Sequence, residues 1–165
     1  MNMNIEALQQ MIRVLEQVEN DPVLVRSFDL GTWTRLPSDT DWTTSLAKLA
    51  EGEPSKLSIV SECGTTACAC GFAAIDPWFR NQGFRFERSG GYMSEIRLYE
   101  HPDDEYWHSD WDAVTQFFGL SYTTAQKLFS SSTYMDKDGA PMLDDEIQPS
   151  DVIARIRTLL TTNEI

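Results

Sequence analysis

The stretch GFRFERSGGYMSEIRLYE, residues 83–100, decides between an all-helical chain and a mixed one. Phe84 and Phe86 alternate with Arg85 and Glu87, and Ile96 and Leu98 alternate with Arg97 and Tyr99. A period of two puts successive side chains on opposite faces of a strand. Between the two runs, Ser89-Gly90-Gly91 supplies residues that accept a tight turn, so the stretch reads as an antiparallel β-hairpin.

Outward from the hairpin, the periodicity becomes helical. At the start of the chain Ile5, Leu8, Ile12, Leu15 and Val18 recur at three- and four-residue steps, with Glu6, Gln9, Gln10, Arg13 and Glu16 between them, until Asn20-Asp21-Pro22 stops the pattern. A less regular stretch follows, in which Phe28, Trp33, Trp42 and Leu46 are the candidate core residues. Beyond the hairpin, Trp111 to Phe118 predicts a helix broken at Gly119, and Tyr122 to Phe129 a second one opened by Ser121 as N-cap. Pro149-Ser150-Asp151 opens a last helix, with Val152, Ile153, Ile156, Leu159 and Leu160 as its buried face. The chain of 165 residues is 41% hydrophobic, enough for one core, and shows no repeat or dividing linker. The expected architecture is α+β, a single helix-dominated domain over residues 1–165 with a small antiparallel β-hairpin.

All three cysteines lie in SECGTTACACGFAA, residues 61–74. Thr65 or Thr66 is a natural N-cap, which places Cys63-Gly64 on the turn ahead of a short helix that ends at Asp76-Pro77. From that start Ala67, Gly71 and Ala74 share one stripe, with Cys70 beside it, and Cys68, Phe72 and Ile75 form the next; Cys68 and Cys70 then read as small core residues. Cys63 differs, because a thiol at a helix N-terminus feels the positive end of the dipole. It is the candidate nucleophile of a thiol-dependent enzyme, with His101 and His108 as the only histidines that could serve as base. A third reading uses the turn itself: Gly64, Thr65 and Thr66 with free helix N–H groups could hold a small phosphorylated ligand. No metal site is expected, since C-x4-C-x-C is not a zinc spacing and positions 68 and 70 would diverge on a helix by about 200°. No cofactor is expected either.

The run Cys63 to Ala73 resembles the C-G-T-x-x-C-x-A-G-x-A box of small uncharacterised proteins of phages, prophages and some bacteria. Phe28-Asp29, Trp33, Gly119-Leu120, Ala125 and Leu128-Phe129 are similar to scattered positions in the same proteins. Cys70 departs from the box, where Ala is usual. The resemblance implies a phage or mobile-element setting and brings no activity with it.

Charge narrows the partners. The net charge is −13, and twelve carboxylates against Lys127 and Lys137 place most of it between Glu100 and Asp151. Such a field repels nucleic acid and anionic membrane and attracts basic proteins. WDAVTQFFGLSYTTAQKLF has helix-turn-helix rhythm, but its second helix offers only Lys127 to a phosphate backbone. DKDGAPMLDDE is not a calcium loop, because counting from Asp136 the sixth position is Pro141 and the twelfth is Ile147. The opening MNMNIEALQQ is polar and nowhere do eighteen apolar residues run together, while an odd cysteine count argues against a disulfide framework. A cytoplasmic protein is expected.

Together these features predict an acidic, non-enzymatic interaction protein, of the phage anti-defence or immunity-type inhibitor kind, that covers a basic site on a protein target. Nucleic-acid-binding proteins are among the candidate targets, without direct contact to nucleic acid or membrane. The predicted face is Asp103, Asp104, Glu105, Tyr106, Trp107, Asp110 and Trp111, aromatic anchors within a charged rim.

Overall fold

In chain order, the computed structural model runs through α1 (Ile5–Asn20), a 3-10 turn (Val25–Ser27), β1 (Thr34–Arg35), β2 (Thr66–Ala67), α2 (Ala69–Ile75) and α3 (Pro77–Asn81). Then come β3 (Phe84–Ser89), β4 (Met93–Leu98), β5 (His108–Ser109), α4 (Asp110–Phe118), α5 (Tyr122–Phe129), a second 3-10 turn (Ser131–Thr133) and α6 (Pro149–Thr162). The structure describes residues 2–31, 34–35, 66–89, 93–99 and 107–162. Trp33, Trp42, Leu46 and the Gly90-Gly91 turn lie outside them.

The α+β architecture is present. Six α-helices among the described residues accompany an antiparallel sheet in the order β3-β4-β5. The hairpin pairs Phe84 with Leu98 and Phe86 with Ile96, so these four residues share one face, and Phe84 and Ile96 are completely buried. Two features carry no signal in the sequence. β5 adds a third strand, pairing Arg97 with Ser109 and Leu98 with His108, and β1 pairs with β2. Both are two residues long, too short to display a period.

The buried stripe of α1 is rotated from the expected one. Ala7, Leu8, Met11, Val14, Leu15 and Val18 are buried, whereas Ile5 is 51% exposed and Ile12 only partly covered. Steps of 7/8, 11, 14/15 and 18 are equally helical, and α1 packs against α2, α4 and α6. Asn4 anchors its start. Its side-chain oxygen accepts from Ala7 N–H at 3.1 Å, while its own N–H and Nδ2 donate to the carbonyls of Phe118 and Phe117 at 2.8 and 3.1 Å. The chain's beginning is thereby tied to the end of α4.

Four rings lock α3, β3 and α4 together. Phe79, Phe84, Phe117 and Phe118 have every pair of centroids between 4.8 and 6.0 Å apart. Offset and tilted contacts of this kind contribute beyond their buried area. Asp76 ends α2, as expected, and then opens a helix that was not: its carboxylate accepts from Trp78 and Phe79 N–H, with Pro77 at the first helical position. Further on, Ser121 caps α5 through Thr124 N–H at 3.1 Å, Gly119 closes α4 at φ 63°, and α6 buries Val152, Ile153, Ile156 and Leu159.

The cysteine box folds differently from its sequence reading. Thr66 and Ala67 belong to β2, and the helix starts only at Ala69 with Cys68 as its N-cap. β1 and the chain around Phe28 claim the backbone of Ala67 first, since Asp29 N–H donates to its carbonyl at 3.1 Å. The expected division into stripes is also replaced, because every residue from Ala67 to Ile75 is buried. Cys68 and Cys70 are core residues, as the sequence predicts.

Candidate functional site

At the junction of β5 and α4 the chain turns from sheet to helix through Asp110, the one described residue other than glycine with positive φ, at 48°. A left-handed conformation there costs on the order of 1 kcal/mol, least for Asn and Asp. The Asp110 carboxylate accepts from Ile96 N–H on β4, one step past the Arg97–Ser109 pair, so the side chain prolongs the ladder where the backbone leaves it. Burial raises its pKa, and the nearby Glu95 charge raises it further. Two residues before it, His108 Nδ1 on β5 meets Asp112 Oδ2 in the first turn of α4 at 2.5 Å. That contact orients the imidazole and leaves its Nε2 uncommitted to Asp112.

The alternation of β4 puts Glu95, Arg97 and Tyr99 on the outer side of the sheet, and Arg85 of β3 pairs with Arg97. These residues make a layer of alternating cations and rings. Arg85 lies 4.4 Å above the Tyr99 ring, Tyr99 is 6.3 Å from Trp107, and Arg97 lies 4.3 Å above Trp107. Arg97 also bonds Glu95 through Nε at 3.1 Å and donates to the Tyr99 hydroxyl at 3.4 Å. Trp107 is 46% exposed at the edge of this layer.

Of the predicted face, the structure therefore brings Trp107 and Asp110 to one junction, with Glu95 and Asp112 as further carboxylates. Trp111 turns elsewhere, packing edge-on against Tyr122 at 6.1 Å. Asp103, Asp104, Glu105 and Tyr106 lie outside the described residues, as do Cys63, Gly64, Thr65 and His101. Thr66 contributes its backbone to β2, opposite Arg35. The helix N–H groups invoked for the Cys63–Thr66 turn belong instead to the start of α2, beyond Cys68. Arg85, Arg97 and Tyr99 were missed as parts of the site, although the strict alternation of the hairpin already placed them on its polar side.

A second grouping surrounds the two described thiols. The Cys68 sulfur accepts from Gly71 N–H at 3.4 Å and from the Cys70 thiol. The expected divergence of positions 68 and 70 fails because Cys68 is extended, with φ −79° and ψ 179°, and only Cys70 is helical. Burial raises both thiols. At Cys68 the hydrogen bonds from Cys70 and Gly71 outweigh burial and hold its pKa below the ordinary thiol value, while Cys70, donating to Cys68, is pushed well above it. Cys68 also lines a cavity of about 200 Å³ together with Leu30, Gly31, Trp111, Phe129, Ser130 and Ser131.

Among the described residues no three His, Cys, Asp or Glu side chains converge as a metal ion would require, and no helix is long and apolar enough to cross a membrane. No family model matches the chain, and neither the curated proteins nor the solved structures contain a match to it.

Proposed function

We propose that this chain is an acidic, non-enzymatic interaction protein whose binding face is centred on Trp107. The observation that carries this reading is the setting of that ring, 46% exposed yet fixed from below by Arg97 and Tyr99. A large side chain already immobilised before binding loses little rotamer freedom on contact, which is the property of an interface anchor. Glu95 bonds the Arg97 beneath the ring, while Asp103, Asp104 and Glu105 precede Trp107 in the chain and Asp110 and Asp112 follow it.

The sign of that rim and a net charge of −13 favour a basic protein surface as the target. The finer reading is an inhibitor that covers a basic site, nucleic-acid-binding sites included, inside the cytoplasm. A phage-encoded anti-defence or immunity-type role rests on the resemblance of the cysteine box. The test is affinity capture from host-cell extract with the wild-type chain and Trp107→Ala in parallel, at low and high salt. A basic protein retained by the wild type, lost from the variant and weakened by salt is expected. Retention of the same proteins by both chains overturns the reading.

A further inference from the structure

We infer that the hairpin around Met135 and Pro141 is a second protein-docking surface, an apolar centre within an acidic rim that fits a partner presenting an apolar patch surrounded by lysines or arginines. The geometry begins with one pair. Met135 and Pro141 are antiparallel partners, flanked by bonds from Met142 N–H to the Tyr134 carbonyl at 3.0 Å and from Asp136 N–H to the Ala140 carbonyl at 2.8 Å. Theirs is the non-hydrogen-bonded kind of pair, in which the two side chains come closest on one face, and the neighbours Tyr134 and Met142 go to the other. That other face is the core side: Tyr134 is buried and Met142 packs against the core. Met135 is 51% exposed, Pro141 is exposed, and Leu143, two positions further on, is 64% exposed, more than any other large apolar residue described. One exposed apolar residue needs no explanation, but three at one hairpin within a charged rim have the composition of an interface.

The hairpin is fixed before any partner arrives. At its tip Asp136 Oδ1 accepts from Asp138 and Ala140 N–H, both at 2.8 Å, and Gly139, at φ 80°, donates to the Asp136 carbonyl at 3.1 Å. At its root the Tyr134 hydroxyl donates to the Leu128 carbonyl of α5 at 2.6 Å, while Arg155 of α6 lies over the Tyr134 ring and donates to the Thr133 carbonyl at 2.8 Å. A surface held in this way loses little conformational freedom on contact. Charge decides the occupant. Between positions 136 and 146, Asp136, Asp138, Asp144, Asp145 and Glu146 stand against Lys137 alone, and all of them are exposed. A second copy of the chain would set like charges against one another, and nucleic acid and anionic membrane are repelled, so the complement is a basic protein. The inference does not rest on the role of Trp107.

The experiment titrates the full isotope-labelled chain with a designed amphipathic helical peptide of leucine and lysine, and with two controls of equal length, one of leucine and glutamate and one of lysine and serine. Amide NMR shifts are followed at low and high salt. Saturable binding of the leucine–lysine peptide alone is expected, weakened by salt, with shift changes centred on residues 134–146. Met135→Ser combined with Leu143→Ser should weaken it by about tenfold or more, as the loss of central apolar anchors does, and Trp107→Ala should leave it unchanged. Asp144→Asn, Asp145→Asn and Glu146→Gln together, which alter only exposed charge, should weaken it by about threefold or more and flatten its salt dependence. No saturable binding, shift changes centred elsewhere, equal affinity for the lysine–serine peptide, loss of binding in Trp107→Ala, or a folded serine variant that binds as tightly as the wild type each overturns the inference. Where the serine variant does not fold, the charge variant decides: an unchanged affinity and salt response overturns it.

Discussion

Arg97 holds its guanidinium carbon 4.3 Å from the centre of the Trp107 ring while its Nε stays bonded to Glu95 at 3.1 Å. The carboxylate fixes the cation, and the cation fixes the ring. Trp107→Ala should therefore cost little stability, about 0.5–1 kcal/mol for an exposed cation–π contact, while raising the off-rate of a captured partner. Urea unfolding and surface-based kinetics check the two effects separately. Neutralising Asp103, Asp104 and Glu105 to Asn, Asn and Gln should slow association and flatten its salt dependence, because exposed charges steer encounter and are screened beyond about 8 Å at physiological salt. An unchanged rate and salt response would remove these three residues from the face.

The two described cysteines should differ on substitution. Cys70 is buried among apolar neighbours, so Cys70→Ser should destabilise by about 1–3 kcal/mol through burial of a hydroxyl. Cys68 occupies an N-cap, where serine is a preferred residue and its oxygen can accept from Gly71 N–H, so Cys68→Ser should cost less. Equal losses in urea midpoints would contradict the capping role. Neither thiol should react with iodoacetamide in the native chain at a rate near that of an exposed cysteine.

Gly119 and Gly139 make a controlled pair. Both have positive φ, 63° and 80°, but a Cβ on Gly119 would stand 2.1 Å from the carbonyl oxygen of Asn2, whereas nothing lies within 4 Å of one on Gly139. Gly139→Ala should cost about 1–2 kcal/mol from backbone conformation alone. Gly119→Ala should cost more, since it must also displace the N-terminal segment that Asn4 anchors to α4. Comparable denaturation midpoints for the two variants would refute that packing.

Burial, opposed by hydrogen bonds from Phe79 and Trp78 N–H and from Gln10, holds the Asp76 carboxyl above its ordinary pKa. The folded chain thus binds this proton more tightly than the unfolded chain. By linkage, its contribution to stability falls as pH rises through the window from the unfolded value, about 4, up to the raised folded value. Asp76→Asn keeps an oxygen that caps α3 and removes the charge. Relative to wild type, the variant should gain stability as pH is raised from about 4 to 7. A relative loss over that range, measured by thermal unfolding, would show that the ionised carboxylate is favoured in the fold.

Much of the architecture was readable along the chain because its signals are local. Ser121, Gly119 and Pro149 mark helix ends through backbone chemistry that needs no tertiary contact, and the Phe84–Phe86 and Ile96–Leu98 alternations fix which side of the hairpin is buried. The start of α2 was not readable. Thr65, Thr66 and Cys68 can each cap a helix, and the choice among them falls to β1 and Phe28, which draw Thr66 and Ala67 into a strand from more than thirty residues away.

The sequence by itself determined the class of fold, the buried face of the hairpin, most of that of α6, where Leu160 is only partly covered, and the acidity of the chain. Those properties follow from period, capping chemistry and charge, which are summed along the chain. Only the tertiary structure decided that Trp107 stands on Arg97 and Tyr99, that Trp111 turns away from it toward Tyr122, and that the Cys68 sulfur meets Cys70 beside a cavity. Each depends on the register of a two-residue strand or on a helix start moved beyond Thr66. Long-range pairing sets both, and no local pattern encodes them.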